Sequence, residues 1–124
     1  MTSDALLAAI ADAERGPSPT DLKNAPVLNR WWLMADGILL RAAGDLNGHP
    51  TIFDPFVTTS PVLGFDAGAG WMRTRSRWYK LGIPDDRHDA AIDDAAQRLL
   101  AAMRARARKA YDGIHSGERH AASG

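Results

Sequence analysis

RWWLMADGILLRAAGDLNGHP, residues 30–50, decides the fold class. Two apolar runs flank Asp36-Gly37, a dipeptide whose glycine adopts positive φ without steric cost. Runs of this kind around such a pair are the signature of an antiparallel hairpin. Asn47-Gly48 supplies a second turn signal. Trp31 and Trp32 are adjacent, so a strand sends them to opposite faces. One enters the core; the other is either outward, as an interface anchor, or covered by a helix.

The pattern continues downstream. FVTTSPVLGFD (56–66) and WMRTRSRWYKL (71–81) are separated by AGAG (67–70). Four to five short strands with turns between them predict a curled antiparallel sheet. Pro55 and Pro61 cannot donate to a ladder, so they mark edges, bulges or corners.

Helices flank this region. Leu6, Leu7, Ile10 and Ala13 recur at helical spacing within residues 4–15, and Gly16-Pro17 stops the run. Ser18, Pro19 and Asp21 read as the start of one short helical turn. Residues 85–111 predict a long helix with a stripe of Ile92, Ala96, Leu99, Met103, Ala107 and Ala110. Acids crowd its start and Arg104, Arg106, Arg108 and Lys109 its end, which suits the helix dipole. Gly113 is a natural stop. The expected organisation is a single α+β domain over 1–115, with a short N-terminal and a long C-terminal helix, and a flexible tail at 116–124.

Composition removes several classes of function. The chain has 124 residues and balances 15 basic against 15 acidic side chains, so attraction to phosphate has to come from local charge separation. It has no cysteine, which excludes disulfides and thiolate chemistry and suits a reducing cytoplasm. Acids in the first 16 residues and a short apolar run there predict no signal peptide, and no run is long enough for a membrane span.

WMRTRSRWYKLG, residues 71–82, carries the strongest functional signal: three arginines and a lysine interleaved with aromatics and free of acids. One uninterrupted strand would place Trp71, Arg73, Arg75, Arg77 and Tyr79 on one face, with Lys80 beside them. Forked guanidinium donors there would hold phosphates, and the rings would stack bases. A turn or bulge near Ser76 would instead flip the register and split the stripe. The plain alternative is a solvated strand face.

Other candidates are weaker. Arg104 and Arg108 are neighbours on the long helix, whereas Arg106 points away from them. Asp85, His88 and Asp89 approach one another, but helix-start acids have a simpler reason, and a metal site needs further ligands. Of the other histidines, His49 lies in a turn, and His115 and His120 in or near the tail. Thr58, Thr59 and Ser60 have no base that would activate a hydroxyl. Gly64, Gly68 and Gly70 are not followed by a phosphate-loop lysine. No catalytic residue, cofactor or metal is expected.

The block built from Thr59, Ser60 and Pro61, then Gly70, Trp71, Arg73, Thr74, Ser76, Arg77, Tyr79, Leu81 and Gly82, resembles a family of small uncharacterised bacterial proteins. The similarity extends weakly back through residues 16–28. It implies no activity. It implies an accessory protein of bacterial chromosomes and mobile elements, a regulator or inhibitor before a metabolic enzyme.

The expected function is a non-enzymatic cytoplasmic binding module. Nucleic acid is the first partner, held by Trp71, Arg73, Arg75, Arg77, Tyr79 and Lys80. The alternative is a protein-binding accessory factor, such as a mobile-element-encoded inhibitor docking on a larger complex. Self-association through the long helix is a further alternative.

Overall fold

The computed structural model describes residues 3–47 and 56–123, from 113 onward as backbone only. In chain order the elements are α1 (Ser3–Arg15), α2 (Pro19–Lys23), β1 (Val27–Asp36), β2 (Leu39–Asn47), β3 (Phe56–Thr58), β4 (Val62–Asp66), β5 (Trp71–Thr74), β6 (Trp78–Leu81) and α3 (Ala90–Ser123). The architecture is α+β as expected, with six strands in one curled, unclosed sheet.

Local signals act where the sequence places them. Ser18 Oγ accepts from the Asp21 N–H at 3.0 Å, and Asp21 Oδ2 accepts from the Ser18 N–H at 2.9 Å. This reciprocal capping box starts α2, with Pro19 at its first position. The β1–β2 hairpin forms one residue later than Asp36-Gly37 suggests. Asp36 pairs with Leu39, so the loop is Gly37-Ile38, with Gly37 at φ +62°. Glycine in the first loop position matches the twist of the flanking strands, and Ile38 is left exposed at the tip. The expected Asn47-Gly48 turn runs into residues 48–55, which lie outside the described residues together with His49 and Pro55.

The strand order is β3-β2-β1-β6-β5-β4. All pairs are antiparallel except β1–β6, a short parallel register of Val27 with Lys80 and Leu28 with Leu81. A pure meander was expected; the parallel pair arises because residues 56–66 leave β2 and cross to β5. β3 and β4 follow each other in the chain yet occupy opposite edges of the sheet. The sheet therefore curls, and its inner face becomes the core: Leu28, Trp31, Leu40, Val62, Phe65, Met72 and Tyr79, among others, closed by Ala96 and Leu100 of α3.

β1 bulges at Arg30-Trp31, where the register shifts between Asn29 and Trp32 and Arg30 has φ 51°. The bulge turns Trp31 inward, where Nε1 donates to Gly82 O at 2.9 Å. Trp32 stays half-buried on the outside, under the Arg87 guanidinium at 4.4 Å and beside Phe56. Gly44 faces the bulge; a Cβ there would stand 2.7 Å from Asn29 O.

The long helix starts later than its acids suggest. Asp85 N–H donates to Trp31 O at 2.8 Å, which continues the parallel pairing along β1 past the end of β6, and Asp89 Oδ1 caps the helix by accepting from Ala91 N–H at 2.9 Å. The expected tail at 116–124 falls on side chains outside the described residues, and the helix itself runs on to Ser123. The buried stripe is rotated from the one expected: Ala96 and Leu100 are buried, Leu99 and Met103 half-buried, and Ile92 exposed.

A second, smaller cluster joins Ala9, Ile10 and Ala13 of α1 to Leu63, with Met103 and Ala107 of α3 against it. Two side chains of α3 serve the open edge of β4. Gln97 Nε2 donates to Phe65 O at 2.8 Å, and Arg104 Nε donates to Leu63 O at 2.9 Å. The carbonyls that β4 turns away from β5 are thereby satisfied. Arg108 grips Glu14 with both guanidinium nitrogens, and that hydrogen-bonded cation holds the Glu14 carboxyl below its ordinary range.

Two outcomes follow. Leu100→Ala should cost about 2–5 kcal/mol in a urea titration, and Ile92→Ala less than about 1 kcal/mol. Glu14→Gln should lower the melting temperature slightly, as expected of an exposed pair. Because the folded carboxyl has the lower pKa, that deficit should be present above the ordinary value of 4.5 and vanish as pH falls through the folded value.

Candidate functional site

The 71–82 block is not one strand. Thr74 N–H donates to Arg77 O at 2.9 Å, which closes a turn with Arg75 and Ser76 at its tip. The Thr74 hydroxyl holds the turn from inside: it accepts from the Ser76 and Arg77 N–H groups, both at 3.2 Å, and donates to Arg77 O at 3.3 Å. This is a side-chain-to-backbone turn of the kind threonine supports, here on a fully buried residue.

The reversal redistributes the expected stripe. Trp71 pairs with Lys80, Met72 with Tyr79 and Arg73 with Trp78. Directly paired residues share a face, so Trp71, Arg73, Trp78 and Lys80 lie on the side of α1 and α2. Tyr79 goes with Met72 into the core, and burial raises its pKa. Trp78 takes the place that Tyr79 was expected to hold. Its ring meets Trp71 edge-to-face at 5.6 Å.

Arg73 is a structural side chain. It is 13% exposed, its Nη2 lies 3.7 Å from Asp12 Oδ2, and its Nη1 donates to Thr74 O at 2.9 Å. Its guanidinium stands 5.6 Å from the Trp78 ring centroid, and its Nε is buried without a hydrogen-bond partner among the described residues. A guanidinium engaged in this way offers little to a phosphate. Arg75 and Arg77 differ: both are half-buried, and neither side chain has an anionic partner among the described residues.

Three hollows surround this turn. One, of about 320 Å³, lies against α2 and mixes Arg73, Arg77 and Trp78 with Asp21 and Asn24. The capping hydrogen bonds from Ser18 hold the Asp21 carboxyl below its ordinary value, so it stays anionic there. A second, of about 330 Å³, is an apolar groove floored by Leu6, Leu39, Pro61, Leu63, Met103 and Ala107, with Ile38, Arg75 and Arg106 around it. A third, of about 220 Å³, is lined by Val57, Thr58, Thr59, Ser60, Ser76, Arg77 and Tyr79.

The groove joins parts that sequence reading kept apart. Arg75 comes from the β5–β6 turn and Arg106 from the basic end of α3, where Arg106 Nη2 reaches Ile38 O at 3.4 Å. Helical spacing does contain half of this signal. Arg104 and Arg108 share one face, facing β4 and α1, and Arg106 lies on another. The presence of Arg75 beside it has no counterpart in local sequence.

Asp85, His88 and Asp89 do not converge on a cation. Asp85 accepts from the Arg87 N–H and pairs with Arg30, Asp89 caps α3, and His88 stacks on Trp31 with Nε2 2.9 Å from Asp93 Oδ1. Among the described residues no three metal-ligating side chains gather.

The chain belongs to a family of unknown function (DUF6634), whose model matches residues 2–114. The match reaches well beyond the 56–82 block that carries the resemblance and into α3. Comparison with curated proteins and with solved structures finds no match.

The division of labour among the arginines can be measured. Arg73→Ala should destabilise the protein by about 1–3 kcal/mol through lost packing and hydrogen bonding. Arg75→Ala and Arg77→Ala should each stay within about 0.5 kcal/mol of the parent. Urea unfolding followed by tryptophan fluorescence reads all three.

Proposed function

We propose that this member of a family of unknown function is a non-enzymatic cytoplasmic binding module that docks on a protein partner through an acidic amphipathic segment. The observation that carries the reading is the groove bordered by two guanidinium groups that have no anionic partner among the described residues. Its apolar floor offers burial to side chains on one face of a helix. Arg75 and Arg106 offer forked, charge-assisted bonds to carboxylates along its border. Among the described residues no acid lines the groove, so the field there favours an anionic partner. Ile38, 61% exposed at the hairpin tip, is the apolar anchor on the groove's own side. The absence of cysteine accords with a reducing compartment, and no helix among the described residues is long and apolar enough to cross a membrane.

Nucleic acid is the second reading. Arg75 and Arg77 belong to one turn and have no acid partner among the described residues, and Lys80 lies along the same hairpin. The redistribution of the stripe weakens this reading, because Tyr79 is in the core and Arg73 is engaged by Asp12. At most about three phosphates could be neutralised, so single-strand affinity should fall with salt at a log–log slope of about −2.

Capture from the native host separates the readings. With nuclease present, wild-type protein should retain a protein partner, and Arg75→Glu/Arg106→Glu should reduce its recovery about tenfold or more. Capture that disappears with nuclease, or that ignores the double variant, would overturn the groove reading. A concentration-dependent rise in mass of the isolated chain would point to self-association through α3 in its place.

A further inference from the structure

The third hollow is a different kind of site from the groove, and the groove reading makes no use of it. We propose that it binds a single phosphoryl group at the end of a small phosphorylated ligand. Ligand pockets for drug-sized molecules run to about 300–1,000 Å³; this one, at about 220 Å³, suits a smaller group. Among the described residues its polar side chains are hydroxyls and one cation, with no carboxylate.

The hydrogen-bond inventory of the lining decides the class of ligand. Arg77 brings a forked guanidinium without an anionic partner among the described residues. Ser60 Oγ and Ser76 Oγ are 2.9 Å apart, so one hydroxyl proton is spent between them and the other is free to donate. Thr58 contributes a further hydroxyl. The Tyr79 hydroxyl has no partner among the described residues, and the raised pKa keeps its proton on and available to donate. A phosphoryl group has three acceptor oxygens and close to two negative charges near neutral pH. It fits a hollow of donors better than a carboxylate, with two oxygens and one charge. A phosphodiester inside a nucleic-acid chain carries a substituent on each side, which a concave hollow of this size does not admit.

The frame around these donors is already set. Thr59 Oγ1 accepts from Ala42 N–H at 3.1 Å and donates to Ser60 O at 2.8 Å. Thr74 locks the turn that carries Ser76 and Arg77. Both walls are thus held by buried threonines whose hydroxyls are fully used, and the donors facing the hollow need little ordering on binding.

The test is a nitrogen–proton NMR titration with inorganic phosphate and with glycerol phosphate, using acetate as control. Saturable shifts should be confined to residues 58–60 and 76–79. Arg77→Gln should weaken binding about tenfold or more, and Tyr79→Phe about threefold to tenfold. Arg75→Gln and Arg106→Gln should leave it unchanged, so failure here is distinguishable from failure of the groove. Affinity should fall as pH drops through about 6, where a phosphate monoester gains its second proton. Equal glycerol phosphate affinity would place the recognition in the phosphoryl group alone; tighter binding would add the substituent to the site. No saturable shift up to about 50 mM, equal binding of acetate, shifts spread over other arginines, or unchanged affinity in Arg77→Gln would each overturn the proposal.

Discussion

Three residues, Thr59, Ser60 and Pro61, join the two opposite edges of one sheet. In a flat sheet of six strands those edges would be about 24 Å apart, at about 4.8 Å per strand step. Four extended residue steps, from Thr58 to Val62, reach no more than about 14 Å. The sheet cannot be flat. It curls until β3 and β4 come within reach of one short connection, and the curl encloses the core. Thr59 holds this corner: its N–H donates to Ala42 O at 2.8 Å, and its hydroxyl satisfies the Ala42 N–H in return. Pro61, which has no N–H to donate, stands where the pairing changes hands from β2 to β5, and its carbonyl accepts from Arg75 N–H at 3.0 Å.

Curling without closure leaves β4 with an open edge, and an exposed edge is a pairing hazard. The answer comes from α3, whose Gln97 and Arg104 bond the outward carbonyls while Ala96 and Leu100 complete the core. Desolvation against β4 lowers the Arg104 pKa, yet the group is charged at any physiological pH. Arg108, one turn on, clamps α1 through Glu14. The basic end of α3 thus holds the molecule together on the face of Arg104 and Arg108. Arg106, directed elsewhere by the same helical geometry, is left to border the groove. A neutral chain acquires a local basic site in this way without any excess of basic residues.

The same economy appears in the hairpin. Four cations interleaved with aromatics read as one stripe, but the buried hydroxyl of Thr74 makes a reversal the better solution, because it satisfies two turn N–H groups that would otherwise be left without partners. The reversal sends Arg73 to Asp12, Tyr79 to the core and Arg75 and Arg77 to separate hollows. The expected single stripe is divided between an apolar groove with a basic border and a small hydroxyl-lined recess.

The sequence by itself determined whatever depends on neighbours a few residues apart. The Ser18–Asp21 box, the hairpin at Gly37, the turn before Gly70, the α+β class and the existence of an amphipathic α3 all rest on hydrogen bonds or periodicities within one or two turns. Tertiary structure decided the rest. Leu100, and not Leu99, is the anchor of α3 because the curl of the sheet sets which face of the helix is covered. The parallel β1–β6 pair and the crossing of residues 56–66 depend on which strands meet, and no short-range pattern encodes that. Arg75 and Arg106 border one groove, and Ser60 meets Ser76, through contacts between distant segments. Such contacts are selected by the closure of the whole core, in which each local preference is weighed against the apolar surface it would leave in water.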